Sequence, residues 1–388
     1  MSSLTPSLMA CLQKLIATPS VSSVQPQFDQ TNIHVIDLLA NWLSDLGFVI
    51  EIMPLPNQPQ KANLIATLGN GPGGLVLSGH TDTVPYDADR WQSDPFTLTE
   101  RDNKLYGLGS ADMKSFMALA IEAVKRFDAK TFRAPLILLA IADEESSMEG
   151  ASSLVLADKP KAKYAMIGEP TGLKPIRAHK GIIMESIKVI GRAGHSSNPA
   201  YGNSALEGMH KVIAAVLAWR AEIQQKHRDP AFAVPFPTLN LGHIHGGDNP
   251  NRICGECELH IDLRPLPGMS TDELRAHLDF HIEQALRDTD LKFERVPLIH
   301  GTEPMFTDAQ AEIIKAAESL TGHTAESVAY CTEGPYLNQL GMQTVIMGPG
   351  HIDQAHQPDE YLPMEQIEPG IDLISNMIKR FCVQSDAK

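Results

Sequence analysis

Short, nearly continuous apolar runs recur along the chain, and most of them break off into acids or histidines. Asn63–Thr67, Leu75–Leu77, Leu136–Ile141, Tyr164–Ile167 and Thr344–Met347 are too short for buried helices and lack a regular polar alternation. A strand reads this way when both of its faces are covered. Helical spacing lies around and between the runs: Leu8, Cys11, Leu12, Leu15 and Ile16; then Ile36, Leu38, Leu39, Trp42, Leu43 and Leu46, stopped by Gly47; then Met117 to Phe127. Buried strands separated by helices predict an α/β fold with a mostly parallel sheet covered on both faces.

In an open parallel sheet, ligands bind beyond the carboxyl ends of the strands. Here Leu75–Leu77 leads into His80 and Asp82, and Leu136–Ile141 into Asp143, Glu144 and Glu145. Tyr164–Ile167 leads into Glu169, and Thr344–Met347 into His351, His356 and Glu360. One topological rule therefore gathers four acid-or-imidazole clusters at one rim. Carboxylates crowded within a few ångströms repel, and some protonate unless cations are bound. Imidazole and carboxylate donors without thiolates suit Zn²⁺ or a similar borderline metal. His80 and Asp82 are two residues apart, so near a strand end both can face one side, one binding metal while the other orients it. Between the first two clusters, Gly107 and Gly109 precede Asp112, which is expected to open a helix and turn a carboxylate toward the same rim. This G-x-G is no dinucleotide fingerprint, because the third glycine and a strong preceding strand are missing.

The middle of the chain reads differently. Half-buried strands, Ile187–Ile190 and Cys257–Leu263, surround a long helical run, Ser204–Gln225, and an amphipathic segment follows, Thr271–Leu286. Alternating strands indicate a sheet with one wet face. Because the parallel-strand signal resumes near Val345, residues 181–290 are expected to form a smaller α+β domain. It would be inserted into a metal-binding domain made of residues 1–180 and 291–388. His243 and His245 offer an H-x-H pair, but they fall in this insertion, apart from the four clusters. Cys254 and Cys257 form a C-x-x-C within an alternating stretch, where an offset of three puts the thiols on opposite faces. No shared metal or disulfide is expected of them.

Charge closes off other classes. Acids outnumber bases 47 to 32, a formal net charge of −15 that repels phosphate backbones and anionic lipid. Neither nucleic acid nor a membrane is an expected partner, and every apolar run falls short of the ~18 residues of a membrane span. Lys14 interrupts the first apolar stretch, so no secretory leader is expected, and five cysteines fit a reducing, cytoplasmic setting.

Over nearly its whole length the chain resembles the M20 metallopeptidase family. The similarity runs through Ser78–Pro85, Tyr106–Lys114, Asp143–Glu145, Gly168–Thr171, Gly191–Ser197, Asn251–Ile253 and Ala355–Glu360. Tyr330–Pro335 and Gln354–Leu362 are similar to its acetylornithine-deacetylase branch in particular. The resemblance implies a zinc-hydrolase domain with an inserted lid and dimerisation domain. His80, Asp112 and Glu169 would hold one zinc; Asp112, Glu145 and His356 would hold the second, with Asp112 bridging and Co²⁺ able to substitute. Asp82 would orient His80, and Glu144 would be the general base for a water shared by the two metals. His195, supplied across a homodimer interface, would steady the oxyanion, and Arg252 would clamp the α-carboxylate of the substrate. Leu108 and Ser115 depart from the wider family's usual Arg and Gly, although the Leu is common in the acetylornithine branch.

The implied reaction removes the acetyl group of N2-acetyl-L-ornithine, yielding ornithine and acetate for arginine biosynthesis. One rival is the same chemistry on succinyl-diaminopimelate, another N-acyl amino acid or a dipeptide. Another is a non-catalytic binding protein on the same scaffold, although Glu144 and all five ligand positions are intact. Glu333 is a candidate contact for a substrate amine on charge alone.

Overall fold

The computed structural model describes residues 5–383, which divide into two compact units. The first takes the chain up to Arg177, then Thr307–Glu326, then the chain from Thr332; the second takes Ala178–Phe306 and Ser327–Cys331. The second unit thus reaches past residue 290. Lys292–Pro297 is a strand that pairs antiparallel with Ile183–Ile190, from Lys292 opposite Ile190 to Pro297 opposite Glu185.

In the first unit six strands lie side by side in the order Val49–Pro54, Ala62–Leu68, Leu136–Ile141, Leu75–His80, Tyr164–Pro170 and Gln343–Gly348. The last four run parallel to one another, and the first two are antiparallel additions at one side. Strands 75–80 and 136–141 are buried at every residue, which is why their sequences carry no alternation. Helix Lys114–Val124 packs on strand 75–80 and is itself covered by helices Leu8–Ile16 and Ile367–Ile378. Ten of its eleven residues are buried, as expected of a helix that is apolar on nearly all sides. It starts at Lys114, so Asp112 sits in the loop ahead of it rather than in its first turn.

Register does the positioning. Leu75 pairs with both Leu136 and Tyr164, and Tyr164 pairs with Gln343, so the four parallel strands start level. They consequently end level. His80 lies beside Ile141, and Glu169, five residues beyond Tyr164, arrives at the same height as His80, five beyond Leu75.

The second unit is a four-stranded antiparallel sheet in the order Thr238–Gly246, Glu256–Arg264, Ile183–Ile190 and Lys292–Pro297. Cys257, Leu259, Ile261 and Leu263 are its buried alternate positions, packed in one core with Val212, Val216 and Trp219 of helix Ala205–Lys226 and Leu278 and Ile282 of helix Thr271–Leu286. Cys254 is not in the strand with Cys257. The strand begins at Glu256, and the Cys254 carbonyl accepts the Ala205 N–H at 2.8 Å; both thiols are free. His243 and His245 are exposed on strand 238–246, which is an edge of this sheet. Among the described residues no helix is long and apolar enough to cross a membrane.

One buried histidine in this unit makes its stability sensitive to acid. His179 is fully buried, its Nδ1 2.8 Å from the Lys180 carbonyl oxygen, and burial pushes its pKa down from 6.5 to about 4. Between those values the unfolded chain binds the extra proton and the folded chain does not, so stability is lost as pH falls through the window. The shift corresponds to about 3 kcal/mol. In urea titrations the stability advantage of wild type over His179→Gln should shrink by that amount from pH 6.5 to pH 4; a constant difference would contradict it.

Candidate metal centre

The strand ends of the first unit bring His80, Asp112, Glu144, Glu145, Glu169 and His356 together. His80 Nε2 lies 2.9 Å from Asp112 Oδ1 and 3.7 Å from Glu169 Oε1. His356 Nε2 lies 3.5 Å from Asp112 Oδ2 and 3.0 Å from Glu145 Oε2. Asp112 therefore turns one oxygen to each imidazole, the placement a bridging carboxylate needs. The tightest donor groups are His80 with Asp112 and Glu145, and His80 with Glu144 and Glu169, each within 4.8 Å. Glu144 thus stands beside His80 and Glu169, while Glu145 reaches both histidines.

Asp82 serves His80 differently from the sequence expectation. His80 Nδ1 is 2.9 Å from the Asp82 carbonyl oxygen and 3.8 Å from its carboxylate. The carboxylate instead accepts the Glu145 N–H at 3.0 Å through Oδ2, leaving Oδ1 buried without a hydrogen-bond partner. Asp82 therefore ties the His80 strand end to the loop carrying Glu144 and Glu145.

The electrostatics call for cations. Burial raises the pKa values of Glu144 and Glu169 well above the carboxylate range; Glu169 adds to the rise at Glu144, and Asp112 to that at Glu169. Burial lifts Asp82 to about 6. Burial would depress the His80 imidazolium, but the hydrogen bond and charge of Asp112 hold its pKa well above the usual value. The hydrogen bond to Glu145 raises His356 to about 9. The buried cluster is thus short of positive charge. The buried amine of Lys114 does not supply it: the amine donates to the Leu15 and Thr18 carbonyl oxygens, and burial lowers its pKa to about 7. Five carboxylates and two imidazoles with no thiolate, one buried carboxylate oxygen without a hydrogen-bond partner, and a carboxylate between two histidines fit a pair of divalent cations.

The loops that present these groups are themselves pinned. Glu360, quoted in a motif but given no role from sequence, is buried and accepts the N–H groups of Gly109, Ala111 and Asp112 at 3.0, 2.7 and 2.9 Å. It clamps the segment that delivers Asp112, and burial raises its pKa to about 8. Only its place in the polar stretch after strand 343–348 hints at it. Gly168 has a packing reason: a Cβ there would lie 2.0 Å from Phe116 Cγ, displacing the strand end that carries Glu169.

His195 and Arg252 lie in the second unit. They face each other in a two-residue antiparallel ladder, and both are exposed. His195 Nδ1 is 2.8 Å from Ser197 Oγ, and the Arg252 guanidinium is paired with Asp248. Glu333 is fully buried in the first unit and accepts the Ser78 hydroxyl at 2.7 Å, so protein already engages one side of its carboxylate.

Comparison with known proteins places the chain in a family. Residues 76–380 match the model of peptidase family M20/M25/M40. An acetylornithine deacetylase of Edwardsiella ictaluri is 48% identical over 381 residues, covering 97% of this chain and 98% of its own. The crystal structure of an M20 family metallo-carboxypeptidase from Sulfolobus solfataricus superposes with a TM-score of 0.76 at 16% identity, covering 96% of this chain and 99% of that one. A Bacillus subtilis protein described as a dinuclear metal binding peptidase from the M20 family gives 0.67 at 13%, covering 96% and 98%. With buried parallel strands ending level on a carboxylate shared by two histidines, and a family match over most of its length, this chain belongs to peptidase family M20/M25/M40.

Proposed function

We propose that this chain hydrolyses N2-acetyl-L-ornithine to L-ornithine and acetate, a step of arginine biosynthesis, as a cytoplasmic homodimer associating through its second unit. The observation that carries the reading is the Asp112 carboxylate set between His80 and His356, in a chain similar from end to end to an enzyme named for this reaction. His80, Asp112 and Glu169 hold one cation and Asp112, Glu145 and His356 the other, with zinc as the metal and Co²⁺ able to replace it. Two such cations, when bound, supply Lewis-acid polarisation of the amide carbonyl and an attacking water ionisable near neutral pH.

The rest is the work of the chain. Glu144 takes the proton of the attacking water and returns it to the leaving nitrogen, a role that suits a carboxyl group whose burial raises its proton affinity. Asp82 and Glu360 hold the backbone of the loops that carry Glu145 and Asp112, so these carboxylates do not reorganise during the reaction. His195, supplied across the dimer interface, donates to the developing oxyanion, and Arg252 exchanges its Asp248 partner for the α-carboxylate of the substrate.

Glu144→Gln keeps the shape of the side chain and removes its basicity; kcat should fall by at least about 10²-fold while metal content by atomic absorption stays at the wild-type level. His195→Ala should lower kcat about 10²–10³-fold, again without loss of metal. Metal loss in either variant would assign that residue to the ion instead. Steady-state rates over a panel of N-acetyl and N-succinyl amino acids, before and after chelation, test the substrate. Acetylornithine should lead the panel, and chelation should abolish its turnover; preference for succinyl-diaminopimelate would overturn the reading.

A further inference from the structure

Glu144 and Glu145 are neighbours in sequence that must face different partners. Both reach His80, but Glu144 groups with Glu169, whereas Glu145 groups with Asp112 and contacts His356. The divergence begins one residue earlier, at Asp143, whose φ of 55° lies in the left-handed region. Such a φ is uncommon for a non-glycine residue, though more accessible to Asp than to most, and here the surroundings hold it.

Those surroundings come from three separate segments of the first unit. Asp143 is 2% exposed, and its Oδ1 accepts Lys61 Nζ at 2.6 Å and Ser22 Oγ at 2.9 Å. Its Oδ2 accepts Gln58 Nε2 at 3.0 Å and Ser147 Oγ at 3.5 Å, and its carbonyl oxygen accepts the Met148 N–H at 2.7 Å. Lys61 is equally buried and divides its ammonium between Asp143 and Asp29, the latter also at 2.6 Å. Burial opposes this charge, but the hydrogen bonds Lys61 donates to Asp143 and Asp29 keep its pKa above the usual value. Lys61 immediately precedes strand 62–68, which is laddered to strand 136–141 through Leu64 and Ala140. The cation is therefore fixed to the same sheet whose end it braces.

We propose that Lys61 and Asp143 are positioning residues for the metal centre: their buried ion pair locks the left-handed elbow that sends Glu144 toward the reacting water and Glu145 toward the metal. Neither touches substrate or ion. Outer partners that orient ligands in this way typically change metal affinity or turnover by about 10–100-fold when lost. The inference rests on the roles proposed above for Glu144 and Glu145.

Lys61→Met alone strands the buried Asp143 carboxylate and the half-buried Asp29 carboxylate and lowers the thermal midpoint, so it does not separate positioning from stability. Lys61→Met/Asp143→Asn removes the stranded charge at the elbow along with the brace. Relative to Lys61→Met it should regain thermal midpoint, yet zinc affinity by calorimetry should be about tenfold weaker than wild type and kcat about 10–100-fold lower, with KM within about twofold. Gln58→Leu, which removes one donor and no charge, should fold like wild type and move zinc affinity and kcat the same way by about threefold to fivefold. Wild-type zinc affinity and kcat in either variant would overturn the brace, as would a kcat loss accounted for by the unfolded fraction. Failure of the underlying roles looks different, because Glu144→Gln would then retain turnover.

Discussion

Negative charge gathered in one buried place is the constraint around which the first unit is organised. Level parallel strands deliver His80 and Glu169 to the same height, and the loops after strands 136–141 and 343–348 add Glu144, Glu145 and His356. Burial and mutual repulsion leave Glu144 and Glu169 with strongly raised proton affinity. A cluster of this kind is tolerable only if cations or protons neutralise it, and only if each loop that enters it is held against the repulsion. The acids accordingly divide into two kinds. Asp112, Glu144, Glu145 and Glu169 face inward, whereas Asp82, Asp143 and Glu360 give their oxygens to backbone N–H groups or to the buried amine of Lys61.

Much of the first unit was legible from periodicity alone, because buried parallel strands have a local signature. Strands 75–80, 136–141 and 343–348 lie where apolar runs predict them, and the rule that ligands gather at their carboxyl ends selects the residues that meet. Boundaries set by long-range pairing were less visible. The strand 292–297 carries Lys292, Glu294 and Arg295, and only its ladder with strand 183–190 places it in the second unit. Cys254 follows the local alternation but leaves the strand to accept a hydrogen bond from Ala205. Asp112 precedes its helix instead of opening it.

The bracing acids were the least readable. Glu360 binds the Ala111 N–H from 249 residues away, and Lys61 meets Asp143 across 82. Such contacts leave no periodic trace, and a lone lysine before a strand looks like any solvated turn residue. The division of labour within Asp82, carbonyl toward His80 and carboxylate toward Glu145, is likewise a matter of ångströms that spacing cannot express. The second unit contrasts with the first in its physics. Its four-stranded sheet buries one set of alternate residues, and a separate two-stranded ladder carries the exposed His195 and Arg252.

The order in which the chain visits its two units has a consequence for biogenesis. Strand 343–348 flanks strand 164–170, yet the intervening polypeptide contains all of the other unit. A ribosome releases the N-terminal segment long before His356 and Glu360 leave the exit tunnel. Until then Asp112 lacks both its second imidazole and its clamp, and one side of the central sheet stays open to solvent. The cluster around Asp112 can therefore close only after every residue of the second unit has been made.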